Sequence, residues 1–132
     1  MSRIVVEAPG AAAVGPYSHG VHANGFVYLS GQTPIDSTTG TLVEGGIDAQ
    51  VRQCLHNLQA VLQAAGLTFA DVIKVNVFLV DMNDFAAMNR AYADHFDSPY
   101  PARTTIGVAA LPLHAAVEIE MIAIEAKHRI SH

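Results

Sequence analysis

Apolar residues return along this chain with two different periods, and the switches between them mark out its elements. Ile47, Val51, Leu55, Leu58, Leu62 and Ala65 recur at three- and four-residue steps, the spacing of one helix face. Arg52, Gln53, His56, Asn57 and Gln63 lie off that stripe, and Gly66 ends the helix. A second helix is predicted from Asp84 to about Phe96, capped by Asp81 or Asn83 and broken by Asp97-Ser98-Pro99-Tyr100-Pro101. The strand-like runs are shorter. Arg3 to Glu7 reads as an edge strand. Val21 to Ala23 and Phe26 to Leu29 flank Asn24-Gly25, a pair suited to the positive φ angles of a tight hairpin. Ile73 to Val80 is rich in β-branched residues. Thr104 to Ala109 and Val117 to Glu125 are the last two strands, with Leu111-Pro112-Leu113 between them. Ala8 to Pro16 and Pro34 to Gly40 read as loops.

Strand, hairpin, helix, strand, helix and two strands make one α+β domain over residues 1–132. The expected architecture is a two-layer sandwich, a mixed six-stranded sheet with two helices on one face. Val, Ile and Leu also fall on the other face, which predicts burial against partner subunits.

Composition sharpens this picture in three ways. Hydrophobic residues make up 51% of the chain and charged residues 14%. With a mean hydropathy of +0.28, that is more apolar surface than a small monomer usually hides, and it predicts an oligomer. The formal net charge is -5 and no basic run appears, which disfavours nucleic acid and anionic membranes as partners. Cys54 is the one cysteine, so no disulfide can close within the chain. No run approaches the ~20 apolar residues that cross a bilayer, and the N-terminus lacks a signal-like apolar stretch. The expectation is a cytoplasmic protein.

The residues that could carry chemistry are few. The seven histidines show no ligand spacing with Cys or carboxylates, so no metal site is expected. Ser30 is outside any Gly-x-Ser-x-Gly elbow, and no phosphate loop precedes a helix, so no cofactor is expected either. What remains is Tyr17, Ser30, Arg103 and Glu118. A guanidinium grips a carboxylate with two parallel hydrogen bonds, and a glutamate can steer a water or accept its proton. Arg103 and a glutamate on neighbouring strand-like segments therefore fit hydrolysis of a small carboxylate-bearing substrate. An ordinary ion pair between them fits the same residues. Glu118 and Glu120 share a strand face if the strand is regular, and the pattern does not choose between them.

Several motifs together resemble the Rid family, also called the YjgF family. They are Gly15-Pro16-Tyr17-Ser18-His19-Gly20, Ser30-Gly31-Gln32, Asn83-Asp84-Phe85, Pro101-Ala102-Arg103 and Val117-Glu118-Ile119-Glu120. The resemblance runs from about Ala8 to Ala126. It implies a chorismate-mutase-like fold and a homotrimer with clefts between subunits. It also implies cofactor-free hydrolysis of 2-enamine and 2-imino acids, such as 2-aminoacrylate and 2-iminopropanoate, to 2-oxo acids and ammonia. By this likeness the chain would be a 2-iminobutanoate/2-iminopropanoate deaminase. Arg103 would hold the substrate carboxylate and Glu118 the attacking water. Tyr17, Ser30, Gly31 and the main chain of Thr105 would line the cleft. Many members carry Cys where this chain has Thr105. A non-catalytic trimer that binds small carboxylates or acts as a chaperone is the alternative, as is a deaminase dedicated to aminomuconate or to pyrimidine breakdown.

Overall fold

The computed structural model describes residues 3–8 and 15–125. The middle of the predicted Ala8 to Pro16 loop, and the tail carrying His128 and His132, lie outside the described residues. The strands are β1 (Ile4–Val6), β2 (Gly20–Ala23), β3 (Phe26–Gln32), β4 (Ile35–Asp36), β5 (Thr41–Leu42), β6 (Val72–Leu79), β7 (Ala102–Gly107) and β8 (Val117–Ile124). The helices are α1 (Ile47–Ala64) and α2 (Phe85–Ala93). Six strands form one sheet in the order β1-β2-β3-β8-β6-β7, and β4 with β5 makes a separate small hairpin. Only β6 and β7 run parallel, so the sheet is mixed as expected.

The Asn24-Gly25 turn takes φ 52° and 84°, the positive values its residues allow, and closes β2 onto β3. α1 buries Val51, Cys54, Leu55, Leu58, Val61 and Leu62 against the sheet. β8 answers from the other side: Val117, Ile119, Met121 and Ala123 are buried and the residues between them are not. Strict alternation in the central strand therefore fixes which face meets the helices.

Three expectations need correction. α2 stops at Ala93, short of Phe96, and it is entered through a 3-10 turn over Met82–Asp84. The Pro34 to Gly40 loop is partly ordered as β4, whose Ile35 and Asp36 pair with Leu42 and Thr41. Asn57, placed off the apolar stripe by pattern, is only 1% exposed. Its Nδ2 donates to the carbonyls of Ile35 at 2.9 Å and Thr33 at 3.3 Å, and its Oδ1 accepts from Gln53 Nε2 at 2.9 Å. A helix side chain thus satisfies the backbone of the segment after β3, a need that periodicity does not register.

Asn57→Leu keeps the branching of the side chain and removes these donors. Leaving buried carbonyls unpaired should cost about 1–3 kcal/mol in urea unfolding, with faster amide exchange through residues 33–36.

Candidate active site

β8 and the end of β3 build one wall of a cleft of about 450 Å³. Tyr17, Ser30, Gly31, Gln32, Ile35, Leu113, Glu118 and Glu120 are among its lining residues. Pairing of β3 with β8 slips by one residue between Leu29 and Gln32, which makes a bulge at Ser30-Gly31 opposite Glu120. At the bulge the Glu118 side chain lies directly over Gly31. A Cβ on Gly31 would sit 2.5 Å from Glu118 Oε2, so position 31 must be glycine for the carboxylate to rest there. Ser30 donates its hydroxyl hydrogen to the Ser18 carbonyl at 2.6 Å, which ties the Tyr17 segment to β3 and leaves the oxygen as an acceptor.

Glu120 points the same way as Glu118 and accepts from Asn76 Nδ2 at 3.0 Å. Burial raises the pKa of the Glu118 carboxyl above the usual glutamate value, and the nearby charge of Glu120 raises it further. The two glutamates of one motif are thereby unlike: one is hydrogen-bonded by an amide, the other is partly desolvated and holds its proton to higher pH than a free glutamate. Gln32 is a lining residue that motif reading left unassigned; it is 3% exposed and its Nε2 lacks a partner among the described residues.

Arg103 is elsewhere. It pairs with Val75 of β6, while Glu118 pairs with Phe78. Val75 is in the core beneath the helices, so Arg103 projects to the helix face of the sheet, opposite Glu118. β6 also separates their strands, by two spacings or about 10 Å. The alternative of an ordinary Arg103–Glu118 ion pair is therefore corrected: although their strands follow one another in the chain, β6 lies between them and the pair cannot form within one chain. Instead the guanidinium lies 4.8 Å from the Tyr92 ring centroid and 5.8 Å from that of Phe85, with Nη1 3.9 Å from Met88 Sδ. Burial pushes the Tyr92 hydroxyl up to about 12, with Arg103 pulling weakly the other way. Arg103 joins no ion pair among the described residues, so its fork stays available to an outside carboxylate. It lines a second cavity of about 490 Å³ with Asn89, Tyr92 and Tyr100.

Thr105 follows on the same face, with its Oγ1 buried and unpartnered. Val108 N–H donates to Leu79 O at 2.8 Å, so the two-residue alternation turns the amides of Arg103 and Thr105 toward the open edge of the sheet. Among the described residues no group of three His, Cys, Asp or Glu is placed to hold a metal ion, and no helix is long and apolar enough to cross a membrane.

Residues 7–125 match the family model described as Endoribonuclease L-PSP. The chain is a member of the Rid family. Within the family it is 46% identical over 123 residues to a RutC family protein of Pyrococcus horikoshii, covering 93% of this chain and 98% of that one. It is 45% identical to a goat (Capra hircus) protein named 2-iminobutanoate/2-iminopropanoate deaminase, covering 93% of this chain and 90% of that one. A solved Rid family structure from Yersinia pestis superposes with a TM-score of 0.89 at 45% identity, covering 93% of this chain and 99% of that one.

Two measurements check the electrostatics of this Rid cleft. In Gly31→Ala the Glu118 carboxylate should be displaced from its place over position 31 in a crystal structure. In an NMR titration Glu118 should titrate above the ordinary glutamate range, and Glu120→Gln should bring it down. The sign for stability follows: the folded chain holds that proton to higher pH than the unfolded chain, so this stabilisation is present at low pH and lost as pH rises through the folded pKa.

Proposed function

We propose that the protein hydrolyses 2-imino acids, and their 2-enamine tautomers, to 2-oxo acids and ammonia in clefts shared between the chains of a homotrimer. The observation that carries this reading is an arginine fork without an acid partner among the described residues on one sheet face, and on the other a half-buried glutamate held over Gly31. They can act on one small molecule only if Arg103 of one chain meets the Glu118 cleft of another. Deaminase-named relatives at about 45% identity support the same chemistry.

Arg103 takes the substrate carboxylate in a two-pronged hydrogen bond, with the Thr105 amide on the open edge as a further donor. Glu118 accepts a proton from a water as its oxygen attacks C2 of the imine. With the imine nitrogen protonated, the addition gives a neutral carbinolamine, which takes that proton on nitrogen; as its C–N bond breaks and ammonia leaves, the C2 hydroxyl gives its proton back to Glu118 and the C2 carbonyl forms. A glutamate whose pKa is raised by burial suits both halves of this relay, since it must accept a proton and then return it. Tyr17 and the Ser30 oxygen line the cleft around the reacting centre.

The test is consumption of imino acids released by an amino-acid oxidase, read as a fall in semicarbazone yield. Arg103→Lys should lose about a hundredfold in rate or more, because a point charge does not replace the planar fork. Glu118→Gln should fall by ~10²-fold, and Glu120→Gln by less. Near-wild-type turnover by Arg103→Lys removes the clamp role.

Sharing of the cleft is checked separately. Arg103→Ala and Glu118→Gln chains, each strongly impaired, should regain activity when co-refolded, since random assortment restores about a quarter of the clefts. Ultracentrifugation should report three chains per particle. A fully active monomer contradicts the shared cleft.

A further inference from the structure

The last turn before β8 is built against local preference. Leu113 has φ 59° and ψ 23°, and His114 has φ 60°. With Ala115 N–H donating to Pro112 O at 3.1 Å, this is a four-residue turn whose two central residues both have positive φ. Asn-Gly is the pair such a turn favours, and the chain uses that pair at residues 24 and 25. Leu and His in the same role are strained. The surroundings enforce the conformation. Ala115 is 2% exposed, Ala116 N–H donates to Gln50 Oε1 of α1 at 2.9 Å, and the Ala116 carbonyl accepts from Val80 at 3.2 Å.

Leu113 receives no core burial in return. It is 51% exposed in the single chain, and it lies along the cleft beside Pro112 and Ile35. The glutamates, Ser30, Gln32 and Thr33 form the polar part of the lining, and these three residues form an apolar part. A large apolar side chain held in a strained turn and left outside the core points to a role in the cleft.

We propose that Leu113 selects the substrate side chain, giving the cleft a preference for 2-oxo and 2-imino acids with apolar side chains, such as those derived from leucine, over charged ones. This rests on reading the cleft as the imine-hydrolysing site. Once the carboxylate is held by Arg103 and C2 faces Glu118, the side chain is the remaining part of the ligand, and the wall at Ile35, Pro112 and Leu113 is an apolar surface this chain offers it.

The test separates binding from turnover by using stable 2-oxo acids as product analogues in titration calorimetry. The wild-type protein should bind 4-methyl-2-oxopentanoate more tightly than pyruvate, and 2-oxoglutarate more weakly than 4-methyl-2-oxopentanoate. Leu113→Asn combined with His114→Gly puts the favoured pair into the turn. Its melting temperature should rise, while the advantage of 4-methyl-2-oxopentanoate over pyruvate falls about tenfold, the scale of one or two lost methylene contacts. Leu113→Met should keep the advantage, and Leu113→Ala supplies the same reading if the double variant does not fold. An unchanged affinity ratio in a folded variant overturns the proposal, as does equal binding, or no binding, of all three acids by the wild type. Wild-type protein that keeps the affinity order without hydrolysing any imine removes the proposed activity and leaves the selection by Leu113 standing.

Discussion

The two-residue alternation of β8 is the constraint on which the rest of the molecule depends. This strand lies between β3 and β6 and pairs with both. Its odd-numbered residues from Val117 to Ala123 fill the core beneath the helices, so Glu118 and Glu120 must face away from it. A slip of one residue would drive two carboxylates into the apolar layer and expose Val, Ile and Met to water. Burying even one unpaired carboxylate there costs several kcal/mol, far more than any loop can offset. The register that secures the core is thus the same register that aims the glutamates.

The bulge at Ser30-Gly31 turns that register into a site. It inserts one residue opposite Glu120, and the bare backbone of Gly31 gives the Glu118 side chain a place to lie. Partial desolvation there and the charge of Glu120 together favour the protonated acid. Asn76 binds Glu120 and not Glu118, which keeps the two carboxylates from sharing one environment. Two identical side chains two residues apart therefore sit in different surroundings because their neighbours on β3 and β6 differ.

Arg103 shows the opposite strategy. A guanidinium without an acid partner among the described residues is kept in place by dispersion and by the faces of Tyr92 and Phe85, which hold a cation without neutralising it. An ion pair would have held it more tightly and left it with fewer free donors. The edge position of β7 also leaves the Thr105 amide unpaired with any strand of the same sheet. Both features leave hydrogen-bond donors open toward whatever lies beyond the edge, and a sheet edge with such donors is complete only when another molecule meets it.

Much of this was legible in the order of residues. Asn24-Gly25 encodes its hairpin locally, the Ile47 to Leu62 stripe encodes α1, and the alternation of Val117 to Ile124 places Glu118 and Glu120 on one face. Each of these signals is short-range and has one dominant physical cause. The motifs around Tyr17, Ser30, Gly31, Arg103 and Glu118 carried the family. Other features depended on contacts distant in sequence, and only the tertiary structure decided them. Asn57 looks like a surface residue until the carbonyls of Thr33 and Ile35 are brought to it. Leu113 and His114 take a turn that their own preferences oppose, because Gln50 and Val80 hold the backbone of Ala116, the residue just before β8. The separation of Arg103 from Glu118 follows from a parallel β7 crossing outside β6, a topology that adjacency in the chain conceals. Sequence determines what each segment prefers; which segments meet is set by the packing of all of them at once.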